Sequence, residues 1–151
     1  MNQDRYVFSQ LSIFLNRTQF NNYVRKYDGN RYVKHFTCWN QLLAMMFGQL
    51  SNRESLRDLI VALDAHQGKR YHLGLGREPI AKTTLASANQ NRDYRIFEDF
   101  AFYMMKEASE TGYWLELLHK TNYIDEQLYK SLSAKCTSLR VMLITSCRTA
   151  K

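Results

Sequence analysis

Proline occurs once in these 151 residues and glycine six times. A chain with so few breakers has few places to interrupt a helix. Runs alternating Val, Ile and Thr with polar residues are missing as well, and that removes the ordinary signature of half-buried strands. The fold class that follows is all-α. Three cysteines, Cys38, Cys136 and Cys147, form no CxxC and leave one over, so neither a disulfide framework nor a zinc site is signalled. The opening MNQDRYVFSQ lacks a charged segment followed by a long apolar one, which speaks against a secretory signal. The longest apolar stretch, Leu42 to Phe47, is far too short to cross a bilayer. The expected setting is a reducing cytoplasm, with no membrane partner.

What is present is a globular composition, 45% hydrophobic and 13% aromatic, which argues against disorder. A chain of this size buries about 68–70% of its unfolded surface, enough for a core. The clearest organisation lies in residues 31–63. Trp39, Leu42, Leu43, Met46, Phe47 and Leu50 recur at helical spacing, and Leu56, Leu59, Ile60 and Leu63 repeat the pattern. Between the two stripes, Ser51-Asn52-Arg53-Glu54 reads as a capping box for the second helix. Two helices joined so closely pack as a hairpin or helix-turn-helix.

Before this pair, residues 6–15 suit a short helix. Thr18 can cap another with Phe20, Tyr23, Val24 and Tyr27 inward, stopped at Asp28-Gly29-Asn30 where Gly29 would take positive φ. After the pair, the chain fades at His66-Gln67-Gly68 into a loop, Lys69 to Pro79, expected to be the most flexible region. Thr83 or Thr84 then opens the short helix TLASANQ. Asp93 begins a longer helix whose buried side runs from Ile96 through Phe100, Met104 and Ala108 into Trp114, Leu115 and Leu118. After a turn at residues 120–123, Asp125 caps a last helix with the stripe Leu128, Leu132, Leu139, Met142 and Leu143.

The net charge of +7 is uneven. Residues 1–106 hold 15 Lys/Arg against 9 Asp/Glu, while residues 107–151 hold 6 against 5. A basic balance attracts polyanions, and the asymmetry assigns that attraction to the first part.

The wording YDGNRYVKHFTCWNQLLAMMFGQLSNRESLRDLI, continued by Tyr71-His72-Leu73-Gly74, TLASAN and Arg92-Asp93-Tyr94-Arg95-Ile96-Phe97, resembles the N-terminal domain of bacterial DDE-class transposases of the insertion-sequence-four family. The resemblance covers about residues 3–103. It implies a non-catalytic front end that holds transposon-end DNA or assembles the transposase. A second resemblance follows. EASETGYWLELL, then Tyr123-Ile124-Asp125-Glu126 and the closing helix, is similar to the C-terminal half of the four-helix-bundle proteins encoded by intervening sequences of bacterial ribosomal RNA genes. It covers about residues 104–151, without the first two helices of such a bundle. The two together imply a chimera of domains 1–103 and 104–151, joined near Phe100 to Lys106: helix-turn-helix-like pairs followed by a helical hairpin, half of a four-helix bundle.

For chemistry the residues offer little. DDE catalysis needs three carboxylates converging on two metals, whereas Asp58, Asp64, Asp93, Glu98 and Asp99 fall on helix surfaces and caps with no strands to gather them. His35, His66, His72 and His119 are scattered, and Gly74-Leu75-Gly76 is not a phosphate-binding GxGxxG. Cys38 follows the expected N-cap Thr37, a helix-start position that can lower a thiol pKa, but no His-acid partner is near and a core thiol is the better account. Trp39 and Trp114 read as core. No enzyme activity, metal, cofactor or small-molecule substrate is expected. The DNA-binding candidates surround TLASANQ: Lys82, Asn89, Asn91, Arg92 and Arg95, behind a loop with Lys69, Arg70 and Arg77. Amides can read adenine edges, and Arg or Lys can reach phosphates or guanine; a solvated polar face is the plain alternative. The expected function is thus a non-catalytic transposase remnant that binds insertion-sequence ends or assembles, with a homodimer through the C-terminal helices. The rival is a structural module that self-associates.

Overall fold

The computed structural model describes residues 7–71, 73–76 and 78–149, with backbone alone at 7, 10, 11, 69 and 145–149. Among them every regular element is helical: α1 (Val7–Ile13), α2 (Arg17–Lys26), α3 (Cys38–Leu50), α4 (Leu56–Ala65), a short 3-10 turn (Gln67–Lys69), α5 (Lys82–Asn91), α6 (Arg95–Lys120) and α7 (Glu126–Thr149). The chain is all-α, as its lack of breakers and strand patterns requires. It divides into two compact units, Met1–Ile96 and Phe97–Lys151.

Local chemistry explains the boundaries. Asn16, not Thr18, caps α2, its side chain accepting the Gln19 N–H. Thr37 and Asn40 form a reciprocal capping box at α3. The expected Ser51 box is not formed. Ser51 ends α3, its hydroxyl donating to the Phe47 carbonyl, and Ser55 caps α4 by accepting the Asp58 N–H at 3.1 Å. Asp125 accepts the Leu128 N–H at 2.7 Å and starts α7. No side chain of Thr83 or Thr84 opens α5, which begins at Lys82 after Ala81.

Three helices end alike. After α2, α3 and α6, a left-handed residue (Asp28, Asn52, Asn122) lets the next amide reach back to the carbonyl five residues earlier in the closing turn. These closing bonds run from Gly29 to Val24, Arg53 to Gly48 and Tyr123 to Leu118, each 2.9 Å. Asp and Asn tolerate that conformation best among L-residues. Asp28 therefore takes the positive φ expected of Gly29, and Gly29 serves a different need: a Cβ there would run into Ile96 and Cys38.

The core of the first unit gathers Phe20 and Val24 from α2, Trp39, Leu43 and Ala44 from α3, Leu59, Ala62 and Leu63 from α4, and Leu85 and Ala88 from α5. Phe20 meets Trp39 edge-on at 5.5 Å, and α3 approaches α4 where Gly48 faces Leu59. The glycine-bearing loop after α4 is not the loose segment expected. Leu73, Leu75 and Ile80 are buried, and Asn40 donates to the Leu75 carbonyl. In the second unit α6 and α7 form an antiparallel hairpin. His119 stacks on Tyr129 near the turn, and the Cys136 thiol meets the Ala108 carbonyl further along. Trp114, expected in a core, is 56% exposed, and Leu118, Leu128, Leu139 and Met142 are also exposed. Two helices can cover only part of each other's apolar stripe.

Candidate nucleic-acid interface

Helix α5 is amphipathic in an unusual sense. Leu85 and Ala88 bury one side, while Thr84, Ser87 and Asn91 recur at helical spacing along another. With Thr83, these hydroxyl and amide groups edge a cleft of about 950 Å³ in the first unit. Arg31, Lys34, His35 and Phe36 from the stretch between α2 and α3 also line it, as do the acids Asp28, Glu78 and Asp93. The cleft is mixed in charge and polarity, with Val33, Leu75, Pro79 and Ile80 beside the hydrogen-bonding groups.

The structure sorts the expected DNA-binding residues into distinct fates. Asn91 and Arg92 line the cleft. Arg92, however, is spent on the scaffold. Its guanidinium donates to the carbonyls of Phe36 and Thr37 and, at 2.9 Å, to the Gln41 side chain. Burial lowers its pKa, while the neighbouring Cys38 pulls the other way. Asn89 accepts from buried Gln41 at 2.6 Å, so it too faces α3. Arg70 is only 1% exposed: it donates to the Leu63 carbonyl and pairs with Asp64, and its Nη1 is buried without a partner. An arginine turned inward in this way cannot reach a phosphate on the surface. Arg95 is exposed but forked onto Asp93 and laid over the Tyr27 ring at 4.7 Å. The hydrogen bond from Arg95 holds the Asp93 carboxyl below its usual range and raises the guanidinium. Asn91 donates to Ser87 at 3.0 Å. Lys82 is exposed at the start of α5. Lys69 lies on the 3-10 turn, and Arg77 lies outside the described residues.

The other candidates resolve simply. Cys38 is fully buried, its Sγ against the Gly29 carbonyl, and burial raises its pKa despite Arg92 nearby. It is a core thiol. Among the described residues no three His, Cys, Asp or Glu side chains come together as a metal group, and no helix is long and apolar enough to span a membrane.

The reading from sequence missed Thr83, Thr84 and Ser87 as cleft residues, although the 84, 87, 91 spacing carried the signal. Arg31 and Lys34 lie some fifty residues from α5 in sequence, and no local pattern links them to it.

Comparison with known proteins bears on the first unit alone. Residues 3–76 match the family described as "Domain of unknown function (DUF4372)". The match takes in α1 to α4 and the start of the buried loop, just under half of the chain, and stops before α5. No curated protein and no solved structure matches the chain.

Proposed function

We propose that this chain is a non-catalytic DNA-binding or assembly module of transposase type, a remnant of an insertion-sequence transposase fused to a bundle-like hairpin. One observation carries the reading. The first compact unit holds 14 Lys/Arg against 7 Asp/Glu, and the second holds 7 against 7. The whole excess of +7 thus sits on one folded body, the arrangement that draws a polyanion to one part of a molecule. The resemblance of residues 3–103 to transposase front ends supplies the choice of DNA. Binding retards insertion-sequence ends more than random duplex in a gel, and the retardation weakens as salt rises. Equal affinity for both duplexes at two salt concentrations removes the end-specific part, and no retardation at low salt removes the reading. Metal-dependent strand cleavage by the purified chain, abolished by substituting one of its own acids, would contradict the non-catalytic assignment.

A second reading, self-association, is favoured by the hairpin. Trp114, Leu117 and Leu118 on α6 and Leu128 and Leu139 on α7 stand in solvent at helical spacing. Two such hairpins can complete a four-helix core across a two-fold axis. A strictly monomeric mass in light scattering at high micromolar concentration rules this out.

A further inference from the structure

The arginines of the first unit differ in what they are doing. Arg53, Arg70 and Arg95 each pair with a carboxylate, Asp58, Asp64 and Asp93 respectively, and Arg92 is bound to backbone carbonyls. Arg17, Arg25, Arg31 and Arg57 have no carboxylate partner among the described residues. The first three line one groove of about 580 Å³ along α2.

Two features of the sequence bring them there. Arg17, Asn21 and Arg25 are spaced four apart and so share one face of α2, beside the buried Phe20 and Val24, with Val24 at the edge of the same groove. The left-handed turn at Asp28 then folds the chain back, with the Arg31 amide bonded to the Asp28 carbonyl at 2.9 Å, and Arg31 joins the same groove. Asp28 is the lone acid of the lining, so three guanidiniums face one carboxylate. Like charges gathered this way repel until an anion enters.

The guanidiniums are also presented in a usable form. Arg17 lies over the Trp39 ring at 5.4 Å, a stack that occupies the face of the group and leaves its N–H edge to bind. Arg31 leans on Tyr32, and Arg25 is steadied by the Asn22 side chain. Arg17 and Arg25 are separated by eight residues, about 12 Å along the axis, a reach of about three base pairs at 3.4 Å per step. Thr18 and Asn21 between them add the hydroxyl and amide donors that phosphate contacts use. A membrane surface fits less well, because a helix lying on lipid exposes its apolar face and the apolar face of α2 is in the core.

We propose that the α2 groove grips the phosphate backbone of duplex DNA through Arg17, Arg25 and Arg31. The assignment rests on the DNA-binding reading above and relocates its contacts from α5 to α2. The test is a titration of labelled duplex with the full chain between 50 and 200 mM salt. R25A/R31A flattens the slope of log K against log salt by about two, at roughly 0.9 per phosphate lost. R25K/R31K, which keeps the charges, restores most of it, and an unchanged melting temperature shows that the Ala variant is folded. K82A/R95A leaves the slope as it was. A slope unchanged in R25A/R31A but flattened in K82A/R95A overturns the groove and leaves DNA binding standing. A wild-type chain that binds vesicles of anionic lipid and no duplex overturns both.

Discussion

The two units solve the problem of burial differently. The first contributes 15 of the 17 buried apolar residues among those described, drawn from α2 to α5, the loop after α4 and Ile96 at the start of α6; the second contributes Phe100 and Ala108. The second also carries no net charge, while the first carries all of it. One unit is therefore a closed core with a charged surface, and the other is a hairpin whose sequence is patterned for more helix neighbours than the chain supplies in α6 and α7. An amphipathic stripe specifies that something must cover it without specifying that the cover is in the same molecule.

The largest expected effect breaks this contrast at the hairpin. Replacing Leu117 and Leu139 with Lys places charge on its exposed apolar face. Burying one Leu stabilises by roughly 1.5–3 kcal/mol, and a two-fold interface loses each contact twice. Analytical ultracentrifugation should show dissociation shifted by more than about a hundredfold, with helix content unchanged. Equal sedimentation of the variant and the parent would remove the pairing surface.

Next comes a pair of truncations that compares the cores directly. Phe20 is completely buried, so Phe20→Ala should cost about 3–5 kcal/mol in urea unfolding. Leu132 is half-buried, and Leu132→Ala should cost less than about 2 kcal/mol. Comparable losses would mean that the hairpin is as well packed as the first unit.

The smallest effect sharpens the comparison through pH. Asp93 in the first unit, held low by Arg95, and Glu116 and Glu126 in the second, held low by Lys120 and Lys130, all have depressed pKa values. Their contribution is present above the ordinary carboxylate range and is lost as pH falls through the depressed folded values. These pairs are on the surface, so the effect is small. Circular dichroism from pH 7 to pH 2 should show a shallow loss of melting temperature confined to the region below about pH 4. A loss centred near pH 6 would point to histidine instead.

How much of this was legible in the chain varied with the range of the interactions. The stripes of α2, α3 and α4 were readable because burial there follows helical period, as were Thr37 and Asp125, whose caps are local. Ser51 reads as the cap of α4, yet Ser55 is the cap, because Asn52 adopts φ 53 and ends α3 at Ser51, which no spacing reveals. The loop after α4 was misread because Leu73, Leu75 and Ile80 interleave with glycines and show no period, yet all three are buried. Arg70 defeated a reading based on charge, since its place against Asp64 and Leu63 depends on how the chain returns after α4. The α5 candidates had the residue types that suit DNA, but Asn89, Arg92 and Arg95 are engaged by α3, backbone carbonyls and Asp93. Contacts across about fifty residues engage Asn89 and Arg92, while the Arg95 fork onto Asp93 is local.

The bonds that Gln41 donates to Asn89 and accepts from Arg92 have a kinetic meaning. Helix α5 is anchored by completely buried Leu85 with Ala88 beside it, a short apolar contact for a helix of ten residues. The directional bonds to Gln41 act as a register key that accepts one placement and rejects its neighbours. A segment that buries two residues against six on α3 should detach as a unit, so amide hydrogens of α5 should exchange together and well ahead of those of α3.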